Sequence, residues 1–246
     1  MKLSVIICTR GRPESLKKVL KSLQQQSFKD LETVVIKESP LSKARDLGWR
    51  KAKGEVAAWI DDDVTLDKDW AKNLVKIFEE NKDVGGVSGP TIVSKELLKN
   101  RLVFWWFGKK SWWAKLWVKL MLDNQPWRVG RITKIGWWSP GSNFKQCLKL
   151  KGLIEVDYLE ACNMALRRDL VKKAGGFDLG FKGTSEWCEP DLAIRVKKLG
   201  HRLVWSNKVK LEHQVSRSGV FIKRRNWWER IKNYLYFRKK WLSKRQ

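Results

Sequence analysis

The chain has 246 residues, of which 43% are hydrophobic, and 52 Lys and Arg against 26 Asp and Glu give it a net charge of +26. This length and hydrophobic content suit one sizeable α/β domain and exclude a chain that is disordered throughout. The positive charge predicts attraction to polyanions, whether nucleic acid, phosphorylated substrates or an anionic membrane. The four cysteines lack the close spacing of a zinc site, so we expect free thiols in a reducing compartment.

Strand and helix patterns alternate through the first 90 residues. Short apolar runs predict buried strands at 3–8, 31–36, 56–60 and 84–87, and helical spacing of apolar residues predicts helices at 16–23, 44–52 and 70–81. This alternation indicates an α/β fold, a Rossmann-like and mainly parallel sheet flanked by helices. Sheets of this kind bind their ligands at the carboxyl ends of the strands.

The second half of the chain is less regular. A strand is predicted within 155–166, helices over 168–174 and 192–199, and another strand over 202–205. From residue 223 onward, ten Lys and Arg stand against the single acid Glu229. We therefore expect one domain over 1–222, followed by a basic, amphipathic and Trp-rich helical extension over 223–246.

Polar residues follow three of the predicted strands, at 9–12, 38–39 and 61–63, and should meet at one edge of the sheet. The last of these segments is Asp-Asp-Asp, whose charges would repel each other unless a cation such as Mg²⁺ or Mn²⁺ neutralised them. A solvated acidic turn or a helix cap is the alternative. Lys43 and Arg45 could reach a diphosphate there, although a solvated helix face is the simpler interpretation for either one.

In order and spacing, these segments resemble the glycosyltransferases of family 2, which have the GT-A fold. The matching segments are VIICTRGR at 5–12, LSKARDLG at 41–48, KGEVAAWIDDD at 53–63, ACNMALRR at 161–168 and GGFD at 175–178. The resemblance implies inverting transfer of a sugar from a UDP- or GDP-sugar to an acceptor hydroxyl, with Mn²⁺ or Mg²⁺ as the cofactor. The acceptor would be a glycan or a lipid-linked sugar.

The resemblance also implies roles for individual residues. Those on the donor side are Thr9, Arg10, Arg12, Glu38, Lys43, Arg45, Asp61 and Asp62. The implied metal ligands are Asp61 and Asp63 with His213, although a lone histidine is more often structural. On the acceptor side it implies Asn163, Met164 and Trp187.

The general base is expected after Gly-Gly-Phe-Asp, where the family usually has Glu-Asp-x-Asp-Leu. This chain has Cys188-Glu189-Pro190-Asp191-Leu192, so Glu189 and Asp191 are both candidates and the choice stays open. Acids near the start of a helix can instead be capping groups that favour the helix dipole.

The extension carries the pattern of an interfacial helix. It places Trp228, Ile231, Leu235 and Leu242 on one helical face among many cations, which favours peripheral contact with an anionic membrane. The Trp-rich stretch 104–117 would add a second contact. We expect the protein in the cytoplasm, on the inner face of the membrane. The alternative is a tail that packs on the domain with its aromatic side chains in the core.

Three other functions fit part of the sequence. A nucleic-acid-binding protein would use the cations and the Trp side chains, but it has no use for a carboxylate cluster at the sheet edge, so we expect no specific nucleic acid partner. A sugar nucleotidyltransferase would share the α/β frame and the metal-binding acids. A lectin-like module would use the Trp faces without catalysis.

Overall fold

The computed structural model describes residues 1–93, 111–214 and 227–243. The first of these ranges contains β1 (Leu3–Cys8), α1 (Pro13–Gln24), β2 (Leu31–Ile36), α2 (Leu41–Lys51), β3 (Val56–Asp61), β4 (Val64–Leu66), α3 (Trp70–Glu80), β5 (Val84–Ser88) and β6 (Thr91–Val93). The others contain α4 (Trp112–Leu122), two short 3₁₀ helices (Gly141–Asn143 and Lys145–Lys149), β7 (Ile154–Glu155), β8 (Asn163–Arg167), α5 (Arg168–Lys173), α6 (Cys188–Lys198), β9 (Arg202–Trp205), β10 (Leu211–His213) and α7 (Trp227–Trp241).

Among the described residues, seven strands form one sheet in the order β2-β1-β3-β8-β5-β9-β7, and β4-β10-β6 form a smaller one. In the large sheet β1, β2, β3, β5 and β9 run in the same direction, while β8 and β7 run against them. The sheet is therefore mixed and mainly parallel with flanking helices, which confirms the predicted fold class. The carboxyl ends of β2, β1 and β3 are level, because Cys8 lies opposite both Ile36 and Asp61.

The core lies on both faces of the sheet because the central strands are apolar on both sides. In β1, Val5 and Ile7 belong to the hydrophobic cluster that includes α1 and α3, whereas Ile6 belongs to the cluster on the opposite face. Successive residues of a strand point to opposite faces, so one continuous apolar run supplies both clusters. This burial fixes the level strand ends on which the site is built.

The structure corrects one helix boundary that matters for function. The helix predicted at 192–199 begins earlier, at Cys188, so α6 carries Glu189 and Asp191 in its first turn. Pro190 is compatible with this start, because the first turn of a helix does not use its backbone N–H groups for internal hydrogen bonds. Both acids are therefore helical residues rather than part of a preceding loop.

The helix α7 packs on the domain along one face. Phe237 is fully buried, the Asn233 side chain exchanges two hydrogen bonds of 2.9 and 3.0 Å with the backbone of Lys182, and the Tyr234 hydroxyl donates to the carbonyl of Ile135 at 2.8 Å. The boundary expected after residue 222 lies outside the described residues. Within the described ranges, no helix is long and apolar enough to cross a bilayer.

All four cysteines lie in the described ranges and are free thiols, as expected. Burial raises the pKa of Cys8 and of Cys147 to about 12. These two side chains are therefore protonated thiols at neutral pH and behave as small core residues.

Candidate functional site

The loop after β1 forms hydrogen bonds with the aspartates that follow β3, because the two parallel strands end side by side. Asp62 is fully buried, and its carboxylate accepts hydrogen bonds from the Thr9 hydroxyl and the Arg12 guanidinium. Burial raises the pKa of Asp62, an effect that Thr9 and Arg12 oppose. Asp62 therefore ties two loops together. The donor contact that the resemblance implies for Asp62 stays a prediction.

The other two aspartates form a carboxylate–imidazole cluster with His213. Asp61 ends β3 with 34% of its side chain exposed. His213 ends β10, which pairs with β4 so that His213 lies opposite Val64. Its Nε2 atom is 3.0 Å from Asp63 Oδ1 and 3.6 Å from Asp61 Oδ2. The fold thus brings together the three residues that the resemblance implies as metal ligands, although His213 is 150 positions from Asp63 in sequence.

Sequence reasoning missed Cys162, which lies at the same point. The antiparallel pairing of β3 with β8 sets Ile60 opposite Asn163, so the neighbouring residues Asp61 and Cys162 are also adjacent. The possible ligand atoms of Asp61, Cys162 and His213 all lie within 4.8 Å of one another. Burial, with Asp61 and nearby acids adding to it, raises the pKa of the Cys162 thiol well above its ordinary value. No spacing motif marks this residue, because the contact depends on strand pairing.

The cluster has the chemistry of a divalent-cation site. Asp61 and Asp63 offer carboxylate oxygens and His213 an imidazole nitrogen, a set that suits Mn²⁺ and, through its oxygens, Mg²⁺. Arg12 lies 2.7 Å from the second oxygen of Asp63 and balances part of the acidic charge. These residues therefore fit the cation that the resemblance implies.

Three further donor-side candidates lie on the exposed rim of the same edge. The Arg10 guanidinium donates to the hydroxyl of Ser39, and the Lys43 ammonium lies 3.2 Å from the carboxylate of Glu38. Glu38 and Lys43 are largely exposed to solvent. An exposed ion pair of this kind contributes little to stability, so these side chains are free to take other partners.

Arg45 lies away from this rim. It is only 4% exposed, its guanidinium pairs with the carboxylate of Glu189, and its Nη1 atom is 3.3 Å from the Sγ atom of Cys188. Burial alone would lower the pKa of Arg45, but the charge of Glu189, and more weakly that of Asp61, raises it above its ordinary value. The donor contact implied for Arg45 stays a prediction, and in the structure its guanidinium pairs with Glu189.

The two candidates for the general base have different surroundings. Asp191 is fully buried, and its carboxylate is held by Arg195 and Lys240, each at 2.7 Å, and by the indole N–H of Trp241 at 2.8 Å. Both of its oxygens already accept hydrogen bonds from side chains that pack the fold. Among the described residues, Glu189 forms one side-chain ion pair, with Arg45, and it is 8% exposed. The carboxylate of Asp191 thus has more hydrogen-bond partners than that of Glu189 among the described residues.

The three residues expected on the acceptor side are buried in the structure. Asn163 accepts a hydrogen bond from the Trp70 indole at 3.0 Å, and the Trp187 indole donates to the carbonyl of Gly136 at 2.8 Å. Met164 belongs to the hydrophobic core. All three side chains therefore pack in the interior of the structure, and their acceptor-side role stays a prediction.

A family model described as "Glycosyl transferase family 2" matches residues 36–174, more than half of the chain. A relative from Haloferax volcanii, "Glucosyl-dolichyl phosphate glucuronosyltransferase", is 23% identical over 249 residues, covering 87% of this chain and 70% of the relative.

Two solved structures share the fold at low sequence identity. The mannosyltransferase PcManGT from Pyrobaculum calidifontis, in complex with GDP-Man and Mn²⁺, has a TM-score of 0.60 at 16% identity, covering 97% of this chain and 64% of that chain. The S. aureus TarS fragment 1–349 in complex with UDP has a TM-score of 0.53 at 16% identity, covering 88% and 61% respectively. The chain thus spans less than two thirds of the length of either structure. Both are similar to it in the GT-A arrangement of sheet and helices.

Proposed function

Because the chain belongs to glycosyl transferase family 2, we propose that it is a glycosyltransferase that moves a sugar from a nucleotide diphosphate sugar to an acceptor hydroxyl. The observation that carries the proposal is the cluster of Asp61, Asp63 and His213 at the carboxyl edge of the parallel strands. In α/β sheets this edge is the usual ligand site, and the cluster supplies cation ligands next to it. The transfer proceeds with inversion at the anomeric carbon and depends on a divalent cation.

Asp61, Asp63 and His213 would hold that cation, and Cys162 stands beside them as a fourth potential ligand. A divalent cation supplies neutralisation of the charge on the departing diphosphate. Thr9, Arg12 and Asp62 fix the loops around it through their mutual hydrogen bonds. In this way the chain holds the metal-binding carboxylates in place before the donor binds, which removes part of the ordering cost from the reaction.

Glu189 accepts the proton of the acceptor hydroxyl as the hydroxyl attacks the anomeric carbon, on the face opposite to the departing diphosphate. The ion pair with Arg45 sets the orientation of its carboxylate. Arg45 comes from α2 and Glu189 from α6, so this buried pair fixes the base relative to the sheet edge. Positioned proton transfer of this kind contributes about 10²- to 10⁴-fold in rate.

The donor carries UDP or GDP, and the exposed side chains Arg10, Glu38 and Lys43 are placed to meet it. Support comes from the two structural neighbours, one bound to GDP-Man and the other to UDP. The acceptor is a glycan or a lipid-linked sugar, as the name of the Haloferax volcanii relative suggests. A lipid-linked acceptor would bring the enzyme to a membrane surface, in keeping with the peripheral, cytoplasmic location expected from the sequence.

The test is a panel of nucleotide sugars, incubated with the full chain, Mn²⁺ or Mg²⁺, and candidate acceptors, with release of nucleoside diphosphate as the readout. We expect release from at least one donor, its loss on chelation, and its loss in Asp61→Asn. The matched control is Asp169→Asn, which alters an exposed aspartate on α5 that pairs with Lys173. Release of diphosphate that survives in Asp61→Asn under chelation would contradict the metal dependence. Formation of a nucleotide sugar from a sugar phosphate would instead identify a nucleotidyltransferase.

A further inference from the structure

The helix α7 has an outward face that is apolar and unusually exposed. Trp228 is 72% exposed, Ile231 42% and Leu235 56%, and they follow one another at spacings of three and four along the helix. A soluble domain exposes single apolar residues routinely, but an aligned stripe headed by a tryptophan marks a contact surface. Leu242, expected on the same face, turns inward and lies close to Gly136.

Contacts of the inward face of α7 with the domain fix the rotation of the helix about its axis, so the apolar stripe stays exposed. Asn233 is hydrogen bonded to the backbone of Lys182 on both sides of its amide, and Phe237 is fully buried. Lys240 also forms ion pairs of 2.7 Å with Asp178 and Asp191. With one face of α7 held by these contacts, the opposite face is exposed to solvent.

A second helix shows the same character. In α4, Trp112 is 61% exposed, Trp113 58% and Leu120 57%. One short segment of chain contacts both helices. The Lys134 N–H donates a hydrogen bond to Asp123, just after α4, and the carbonyl of Ile135 accepts one from Tyr234 of α7. The residues 104–110 of the Trp-rich stretch lie outside the described part of the chain.

The charges around these side chains are almost all positive. On α7, Lys232, Arg238 and Lys239 are exposed beside the apolar stripe, and on α4, Lys115 and Lys119 are exposed among the tryptophans. Helices with apolar side chains and flanking cations lie in the headgroup layer of an anionic membrane, where tryptophan is also favoured. A second copy of a chain with a net charge of +26 would be repelled, and a nucleic acid would gain nothing from Ile231 or Leu235.

We propose that the outward faces of α7 and α4 form a docking surface for an anionic lipid bilayer. The lipid headgroups meet the Lys and Arg side chains, and Trp228, Ile231 and Leu235 with Trp112, Trp113 and Leu120 enter the boundary with the acyl chains. This inference deepens the proposed function, since a lipid-linked acceptor would be met at that surface. The biological reason for docking rests on the proposed function, but docking itself does not, because it needs no sugar substrate.

The experiment is cosedimentation of the full chain with phosphatidylcholine vesicles, with and without phosphatidylglycerol. We expect binding that rises with the anionic lipid and falls with added salt. Replacing Trp228, Ile231 and Leu235 together by Ser should weaken binding by about tenfold or more. Replacing Trp112, Trp113 and Leu120 by Ser should weaken it to a similar degree. The matched control replaces Leu153, Leu179 and Leu199, three similarly exposed apolar residues elsewhere, and should bind like the parent chain.

A parent chain that stays in the supernatant with anionic vesicles at low salt would overturn the proposal, as would an α7 variant that binds as tightly as the parent. An α4 variant with unchanged binding would overturn the two-helix surface. If light scattering showed a dimer that the same substitutions dissociate, the surface would be an interface with a second copy of the chain and not a membrane contact. Nucleotide diphosphate binding, measured on the same α7 variant without lipid, should be unchanged, so a failed docking test and a failed donor site give separate results.

Discussion

The ammonium of Lys240 lies 2.7 Å from the carboxylate of Asp191, and this ion pair joins the C-terminal helix α7 to the helix that carries Glu189. Asp191 is fully buried, and Arg195 and Trp241 occupy the rest of its carboxylate. The acid that follows the base candidate by two positions is therefore the link between two helices. Replacing Asp191 by Asn should therefore change the stability of the fold rather than the chemical step.

We predict that Asp191→Asn lowers the free energy of unfolding by about 3 kcal/mol, the lower end of the range for breaking a buried ion pair. The lower end applies because Lys240 keeps Asp178 as a partner. Urea denaturation followed by circular dichroism measures the change. Lys239→Met, at an exposed neighbouring position, should change stability by less than about 0.5 kcal/mol. Unchanged stability in Asp191→Asn would return Asp191 to the list of candidate bases.

The same link should depend on pH. Burial alone would raise the pKa of Asp178, but hydrogen bonds from Lys240, the Gly180 N–H and Tyr236 lower it below the ordinary value of 3.8. Burial would lower the pKa of Lys240, but Asp178 and Asp191 raise it above 10.5. A lowered acid pKa gives stability that is present above 3.8 and lost as the pH falls through the folded-state value. A raised lysine pKa gives stability that is present below 10.5 and lost as the pH rises through the folded-state value.

We therefore predict that the stability difference between the parent chain and Lys240→Met is largest between about pH 4 and pH 10, and shrinks on either side. Urea midpoints of both proteins across this range measure the difference. Lys239→Met, run in parallel, should show a small and flat difference. A difference that stays constant down to pH 2 would mean that Lys240 acts through packing of its alkyl chain and not through its charge.

The frame of the site could be predicted from sequence because it depends on local patterns. The apolar runs at 3–8 and 31–36 match β1 and β2 residue for residue, and the run at 56–60 falls short of β3 only by Asp61. A buried strand is apolar throughout and ends at a polar turn, so its first and last residues can be predicted from the sequence alone. The aspartates after β3 and the loop after β1 were placed correctly for that reason.

The rest could not be predicted because it depends on contacts between distant residues. Cys162 reaches Asp61 only through the antiparallel pairing of β8 with β3, and β10 is a three-residue strand too short to show a pattern. Arg45 is predicted to contact the donor from its sequence position, and its ion pair with Glu189 could not be foreseen because the two residues are far apart in sequence. The partner of a charged side chain is decided in three dimensions, so a motif alone cannot supply it.

The carboxylate–imidazole cluster gives a prediction about metal binding. We expect His213→Ala to weaken Mn²⁺ binding, measured calorimetrically in the presence of UDP or GDP, by about tenfold to a hundredfold, because one ligand and the hydrogen bond to Asp63 are lost together. The fold should persist, since His213 lies at the end of a short strand at the edge of the site. His201→Ala, at the other histidine and just before β9, is the matched control and should bind Mn²⁺ like the parent chain. Equal affinity in His213→Ala would leave the histidine with a structural role.

The last prediction concerns the base. Glu189→Gln keeps the size of the side chain and its ability to accept a hydrogen bond from Arg45, but the amide cannot take a proton from an acceptor hydroxyl. We expect kcat to fall by about 10²- to 10⁴-fold while the affinity for the donor stays within about a factor of two, since the lost interaction belongs to the transition state. Steady-state kinetics with the donor found in the panel, together with calorimetric donor titration, separates the two effects. Glu212→Gln, at an exposed glutamate on β10 beside His213, is the matched control and should keep full activity. If Glu189→Gln retained the parent kcat, another group would have to take the proton. If it lost donor affinity and kcat together, the Arg45–Glu189 pair would belong to the donor site instead.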